Sequence, residues 1–197
     1  MGRGKKIVDI ELVVDEAIAL IEGGGLEEFS TRRLASRLGI SAMTLYNYYE
    51  NRSAILKEAL RKGLDLMWEG LEKDVAEWRA GGGSALGAYR VLSDHLLAFA
   101  LARPSLCRFL LTESAGTDWT DRDSRIERIC AAESDAGPEL RSESLRHYIY
   151  LFELIAFALT LKVISGGETA ERFRELVAEG YDRLLGRHER DEGQSST

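Results

Sequence analysis

Residues 31–49, with the sequence TRRLASRLGISAMTLYNYY, constrain the fold of this chain more than any other segment. One face of a first helix is apolar at helical spacing, through Leu34, Ala35 and Leu38. Gly39 can adopt the positive φ that ends a helix within a few residues, and residues 42–48 can then form a second helix. This pattern predicts a helix-turn-helix. Because its second helix fits the major groove of B-DNA, DNA binding is the leading interpretation.

The flanking residues extend this motif into a small N-terminal head. Residues 8–22 predict an amphipathic helix that ends at the glycines of positions 23–25. After the motif, an apolar stripe predicts one long helix that continues to about Arg79 and spans roughly 40 Å at about 1.5 Å per residue. Each helix after the first is preceded by a residue that can act as its N-cap, namely Ser30, Ser41 and Asn51.

The sequence of this head resembles a known family. An amphipathic helix and a glycine break lead into FSTRRLASRLGIS and then TLYNYYENRSAIL. The residues that match the family pattern are Thr31, Leu34, Ala35, Leu38, Gly39, Leu45, Tyr46, Tyr49, Asn51, Arg52 and Leu56. Over about residues 8–62 the chain resembles the N-terminal domain of the TetR family of bacterial transcriptional regulators. Tyr49 and Arg52 depart from the more usual Phe and Lys, but they keep an aromatic core side chain and a cation.

Nine residues of the head are the predicted DNA contacts. Asn47 can pair with N6 and N7 of adenine if it faces the floor of the groove, and apolar side chains can touch thymine methyl groups. Cations near helix starts can position the head on phosphates. The predicted residues are Arg32, Ala42, Met43, Thr44, Tyr46, Asn47, Tyr48, Arg52 and Lys57. By contrast, Leu45 and Tyr49 are interpreted as core, and Arg37 as a solvated side chain.

The distribution of charge agrees with a DNA-binding head, although the whole chain has a net charge of −7. Residues 1–62 carry ten basic and nine acidic side chains, whereas residues 63–197 carry sixteen basic and twenty-four acidic ones. The acidic remainder is repelled by DNA, which helps to orient the head. This balance favours specific binding over sequence-independent coating of DNA.

The composition predicts an all-α protein of about nine helices, because prolines are scarce and no alternating strand pattern occurs. The predicted domains are a head of residues 1–62, a ligand-binding and dimerisation body of residues 63–186, and a disordered tail of residues 187–197. Within the body, the pattern predicts helices over residues 84–102, 104–112, 121–132 and 142–165, followed by a final helix.

The last two helices suggest a homodimer. The helix over residues 142–165 is apolar nearly all round, so a monomer would expose one of its sides. The predicted dimer interface contains Leu151, Ile155, Leu159, Phe173, Val177 and Tyr181. The resemblance implies the same dimer, which would read a palindromic operator with centres about 34 Å apart. A monomer in which this helix lies inside the core is the alternative.

The resemblance also implies a small-molecule effector that binds the body, shifts the fourth helix and releases the DNA. The predicted lining residues suggest a small hydrophobic or aromatic compound. They are Met67, Trp68, Tyr89, His95, Phe99, Leu106, Leu110, Trp119, Tyr148 and Phe152. Repression is the usual role in the family. The alternatives are a DNA-binding protein controlled by a protein partner, and a helical interaction module that binds no DNA.

No catalytic residue, metal site or cofactor is predicted. Phosphate-binding loops, dinucleotide fingerprints and nucleophile elbows are missing from the sequence, and its three histidines lack metal-ligand spacing. The chain shows no signal-peptide pattern, and its longest apolar stretch, residues 149–164, is interrupted by Glu153 and Lys162. Cys107 and Cys130 are compatible with a reducing compartment. We therefore expect a cytoplasmic protein that is neither an enzyme nor bound to a membrane.

Overall fold

The computed structural model describes residues 9–84, 86–113 and 143–184, and in these ranges the chain forms helices joined by turns, without strands. The all-α prediction is confirmed. The helices are α1 (Ile10–Gly24), α2 (Thr31–Arg37), α3 (Ala42–Leu45), α4 (Arg52–Trp68), α5 (Leu71–Ala80), α6 (Ala88–Ala102), α7 (Pro104–Glu113), α8 (Glu143–Ile164) and α9 (Ala170–Leu184). The predicted helix over 121–132 and the predicted tail lie outside the described residues.

The chain divides into two compact units. The first contains α1, α2, α3, α4 as far as Met67, and α7. The second begins at Trp68 and contains α5, α6, α8 and α9. The predicted head of residues 1–62 therefore covers only part of the first unit, because α7 also packs against α1.

Helix α7 supplies part of the core of the first unit. Leu106 and Leu110 are fully buried, and a Cβ atom added at Gly63 of α4 would lie 2.7 Å from Cδ2 of Leu110. Only a glycine therefore fits there without displacing Leu110. Before the helix begins, Arg103 pairs with Glu22 of α1 over 3.1 Å. The helix starts at Pro104, as predicted, because proline suits the first position of a helix.

Cys107 lies in the same core and is fully buried. Burial raises the pKa of its thiol to about 12, although the charge of Arg108 acts in the opposite direction. The thiol is therefore protonated at neutral pH, and a buried protonated thiol is a poor nucleophile. Cys107 thus behaves as a small apolar core residue. Cys130 lies outside the described residues.

The second unit is built around α6, which packs against α5, α8 and α9. Phe152 of α8 and Phe173 of α9 are fully buried. The rings of Phe152 and Tyr181 meet edge to face with their centroids 6.0 Å apart. On the other side, the guanidinium of Arg90 lies 5.4 Å from the centroid of the Tyr181 ring. These aromatic contacts fix α9 against α6 and α8.

The long helix predicted to reach Arg79 is interrupted. Helix α4 ends at Trp68 and α5 begins at Leu71. Between them, Gly70 adopts a φ of +86°, in the left-handed region that glycine enters at no steric cost. The prediction was wrong here because a single glycine inside an apolar helical stripe is also compatible with a continuous helix.

The start of α6 also differs from the prediction, since the helix begins at Ala88 and not at residue 84. The indole of Trp78 packs on Gly83 and Gly87, and a Cβ atom at either glycine would overlap the ring. Its Nε1–H donates a hydrogen bond to the carbonyl of Ser84 over 3.0 Å. The chain around the indole therefore forms a turn where the apolar pattern predicted the first turn of α6.

Helix α8 has an unusually apolar exposed surface. Tyr150, Leu154 and Ile155 are exposed large hydrophobic residues on its outer side. By length and composition alone, the window His147–Ile164 is apolar enough to cross a membrane, with a mean hydropathy of 1.6, and 17% of it is buried inside the chain. Because exposure of so much apolar surface to water is unfavourable, this side of α8 is suited to packing against a partner surface.

Candidate nucleic-acid interface

Three side chains cap the helices of the candidate interface, as predicted. The amide of Arg33 donates to Oγ of Ser30 over 3.2 Å, which caps α2. The amide of Thr44 donates to Oγ of Ser41 over 3.1 Å, which caps α3. Asn51 accepts from the amide of Ala54 over 3.0 Å at the start of α4. Each cap satisfies an amide that would otherwise lack a partner and contributes about 1 kcal/mol.

The second helix of the motif is shorter than predicted. Helix α3 ends at Leu45, and the predicted range of residues 42–48 is wrong at its C-terminal end. The amide of Asn47 donates to the carbonyl of Thr44, and that of Tyr48 to the carbonyl of Leu45. These three-residue hydrogen bonds wind the chain more tightly than an α-helix. Asn47 and Tyr48 therefore follow α3 as a turn, and both side chains are exposed.

The remaining predicted contacts of this segment differ in exposure. Met43 is 73% exposed and Tyr46 is 44% exposed, whereas Ala42 and Thr44 are half-buried. The hydroxyl of Thr44 lies 2.8 Å from Oγ of Ser41, and that of Tyr46 lies 3.1 Å from Oγ1 of Thr31. Both hydroxyls are thus already held in place, and the second bond joins the recognition segment to the start of α2.

Ion pairing divides the cations of the head into two groups. Arg37 pairs with Glu16 over 2.7 Å, Lys62 pairs with Asp15, Arg33 pairs with Glu28, and Arg61 lies near Glu58 and Asp65. The second group has no carboxylate partner in the described part of the chain and consists of Arg32, Arg52 and Lys57. The three cations without such a partner are those predicted to contact phosphates. A neutralised cation releases fewer counterions from DNA than a free one.

The family model described as "Bacterial regulatory proteins, tetR family" matches residues 13–59. This range contains α1 from residue 13 onward, the capped helices α2 and α3, and the first turns of α4. Residues 13–59 are thus similar to the N-terminal domain of TetR-family regulators. The resemblance seen in the sequence is confirmed, and the TetR-family domain is the DNA-binding part of a transcription regulator. No curated protein matches the sequence significantly.

Solved structures extend the likeness beyond residues 13–59 to the fold of most of the chain. A TetR transcriptional regulator from Rhodococcus sp. RHA1 has 16% identity and a TM-score of 0.63, covering 89% of this chain and 94% of its own. A TetR-family transcription regulator from Marinobacter aquaeolei VT8 has 18% identity and a TM-score of 0.58, covering 88% of this chain and 93% of its own. The part of the chain that the structure describes therefore has a TetR-like fold.

Tyr49 occupies a core position of the TetR-family domain, and its ring is 7% exposed. Its buried hydroxyl has no hydrogen-bond partner in the described part of the chain. Burial, and secondarily the charge of Glu58, raises the pKa of this hydroxyl above its ordinary value of 10.0. An unsatisfied buried hydroxyl destabilises the folded state because it loses its hydrogen bonds to water.

We expect Tyr49→Phe to raise the free energy of unfolding by about 1 kcal/mol, because only the unsatisfied hydroxyl is removed. The pKa of the Tyr49 hydroxyl is higher in the folded chain than in the unfolded chain. Its ionisation therefore lowers the free energy of unfolding as the pH rises above about 10, and the Tyr49→Phe variant should lack this decrease. Urea unfolding of both proteins at pH 7 and pH 11 tests this. A loss of stability at pH 7 would show that the hydroxyl has a partner.

The predicted effector-lining residues do not all belong to one unit. Met67, Leu106 and Leu110 are core residues of the first unit. The second unit contains Trp68, Tyr89, His95, Phe99, Tyr148 and Phe152, while Trp119 lies outside the described residues. Nδ1 of His95 lies 2.8 Å from Oδ2 of Asp74, so this ring joins α6 to α5. Tyr148 is exposed on α8.

The predicted dimer residues also separate into two groups. Phe173, Val177 and Tyr181 of α9 are buried inside their own unit, against α6 and α8. The apolar stripe of α9 therefore contributes to the core of its own unit. On α8, Leu151 and Leu159 are half-buried and Ile155 is exposed. The sequence pattern did not distinguish a stripe that packs internally from one that stays free.

Proposed function

We propose that this protein is a dimeric, ligand-responsive transcription regulator of the cytoplasm that binds a palindromic operator through α2, α3 and the turn after α3. A small hydrophobic or aromatic effector binds the second unit and releases the DNA, so that the protein acts as a repressor. The observation that carries the DNA-binding part is the group of three cations, Arg32, Arg52 and Lys57, that have no carboxylate partner among the described residues.

A pair of lysine and arginine variants tests this assignment. Lys57→Ala should lower the salt dependence of binding to any duplex by about 0.9 in the slope of log K against log salt, because one phosphate contact is lost. Arg37→Ala is the matched control, since Glu16 already neutralises Arg37. Filter binding or fluorescence anisotropy between 50 and 200 mM salt measures both slopes. Equal slopes for Lys57→Ala and the unmodified protein would contradict the assignment.

The exposed side of α8 supports a dimer. His147, Leu151, Leu154, Ala158 and Leu161 follow one another at alternating steps of four and three residues. This spacing produces a seam that packs against a second helix at about +20°, as in a left-handed coiled coil. Ala158 lies in this seam and would permit close approach of the partner helix. A second copy of α8 related by a two-fold axis is the simplest surface that covers the seam.

The aromatic content of the second unit supports an effector of aromatic or apolar character. Its interior contains Tyr89, Phe152 and Tyr181, and few charged groups. An effector must bind one conformation of the protein better than the other if it is to change DNA affinity. Thermal unfolding with a set of small aromatic compounds tests this, because a ligand of the native state raises the Tm with its concentration. Control by a protein partner is supported if every compound leaves the Tm and DNA affinity unchanged.

Met43 should recognise a thymine methyl group. It is the most exposed large hydrophobic residue of the described chain, and the hydroxyls of Thr44 and Tyr46 are already bonded within the head. We expect replacement of one operator thymine by uracil, which removes the C5-methyl group, to lower affinity about four-fold. The same replacement should have no effect on Met43→Ala. An equal loss in both proteins would place that thymine next to another residue.

A further inference from the structure

Phe29 and Arg52 form a contact that the sequence pattern did not reveal. Phe29 lies between the short 3-10 turn Leu26–Glu28 and Ser30, the N-cap of α2. Its ring is 3% exposed, and Cζ of Arg52 lies over it at 5.2 Å from the centroid. Arg52 is the first residue of α4, whose N-cap is Asn51. The backbone of Arg52 is thus restrained by the helix cap, and its guanidinium is restrained by the ring of Phe29.

This restraint leaves the hydrogen-bonding capacity of the guanidinium unused. A cation–π attraction acts on the charge and needs none of the five N–H donors of arginine. An ion pair with a carboxylate, as at Arg37 and Glu16, would instead neutralise the charge and occupy donors. Arg52 therefore combines a fixed position with a charge and N–H donors that have no carboxylate partner within residues 9–84, 86–113 and 143–184. Lysine has a compact ammonium on a flexible stem and lacks the planar group that aromatic rings hold well.

The same short segment also determines the position of the recognition elements. Ser30 follows Phe29 and caps α2, and Thr31 bonds to the hydroxyl of Tyr46 after α3. The ring of Phe29 thus connects the first residue of α4 to the beginning of α2. A phosphate contact made by Arg52 would therefore have a fixed position relative to the residues of α3 that are predicted to face the bases.

We propose that Phe29 is a positioning residue, which holds the guanidinium of Arg52 where it contacts a DNA backbone phosphate. The ring stabilises the binding conformation before DNA arrives, so less side-chain entropy is lost on binding. The proposal rests on the proposed DNA-binding function, because it assigns a partner to one of the phosphate contacts. Phe29 would then influence the affinity for DNA although it is buried and does not contact DNA itself.

A double-mutant cycle on the full-length protein tests this inference. Operator affinity is measured for the unmodified protein, Phe29→Leu, Arg52→Ala and the double variant. Phe29→Leu should lower affinity about two- to five-fold more in the presence of Arg52 than in the Arg52→Ala background. Phe29→Tyr retains an aromatic face and should restore the affinity. Any general damage to the core by Phe29→Leu is present in both backgrounds and cancels.

A second arm uses Arg52→Lys, which keeps the charge. This variant should retain the salt slope of the unmodified protein but lose affinity, and Phe29→Leu should then add no further loss. Equal losses from Phe29→Leu with and without Arg52 would overturn the inference and leave the DNA-binding function intact. An unmodified protein that binds no DNA selectively would overturn the proposed function itself, and the inference with it.

Discussion

Leu154→Glu is expected to convert the proposed dimer into a monomer and to lower operator affinity by more than about 100-fold. Leu154 is 46% exposed and lies in the α8 seam, where a glutamate would face an apolar surface of the second subunit. A dimer binds its second half-site as an intramolecular step, which raises the overall affinity by a factor of about 10² to 10⁴. A monomer loses this factor although its recognition residues are unchanged.

Sedimentation velocity and operator binding measured on the same preparation test this prediction. Leu101→Glu is the matched control, because Leu101 is 51% exposed but lies on α6 and is not one of the seam residues of α8. The control should remain dimeric and bind the operator normally. A dimeric Leu154→Glu protein with full affinity would show that the subunits associate through another surface.

Leu110→Ala is expected to lower the free energy of unfolding of the first unit by about 2–5 kcal/mol and to weaken DNA binding in parallel. The side chain is fully buried, and it fills the space beside Gly63 of α4. Truncation to alanine removes this packing and leaves a cavity between α4 and α7. Since small domains are stable by only about 5–15 kcal/mol, this loss is a large fraction of the total.

Chemical unfolding monitored together with DNA binding measures this effect. Leu101→Ala changes the same residue type at an exposed position and should shift stability by less than about 0.5 kcal/mol. Leu110 lies far beyond the predicted head of residues 1–62, so a large effect on DNA binding would establish that α7 is part of the head. A small effect, equal to that of Leu101→Ala, would contradict the packing of α7 against α4.

The local features of the fold could be predicted from the sequence because their causes are local. Ser30, Ser41 and Asn51 cap the helices that their positions indicated, since an N-cap acts only on amides two or three residues away. The apolar spacing of α2 and the glycine after it likewise determine the motif without distant contacts. The family resemblance was visible for the same reason.

Other features depend on contacts between distant residues, and the sequence pattern did not reveal them. The φ of +86° at Gly70, which separates α4 from α5, is not visible in the apolar stripe that runs through it. The inclusion of α7 in the first unit follows from the fit of Leu110 beside Gly63. Helices α8 and α9 both have apolar surfaces, but only burial distinguishes the internal surface of α9 from the exposed surface of α8.

The candidate interface also combines features with local causes and features that depend on contacts between distant residues. Residue type and position were sufficient to predict Arg32, Arg52 and Lys57 as phosphate contacts, and these contacts remain a prediction. The partners of Arg37 and Lys62 come from a separate helix, α1, and so only the structure shows that these two charges are neutralised. The contact between Phe29 and Arg52 is of this kind as well, because its two residues belong to different elements.

Selection of bound sequences from random duplex DNA at two salt concentrations tests the central claim most directly. A dimeric reader should enrich a palindrome whose half-site centres lie about one helical turn, roughly 34 Å, apart, and its affinity should fall steeply with salt. Enrichment of no sequence at the lower salt concentration, by effector-free protein, would contradict the account and favour a helical protein that binds other partners.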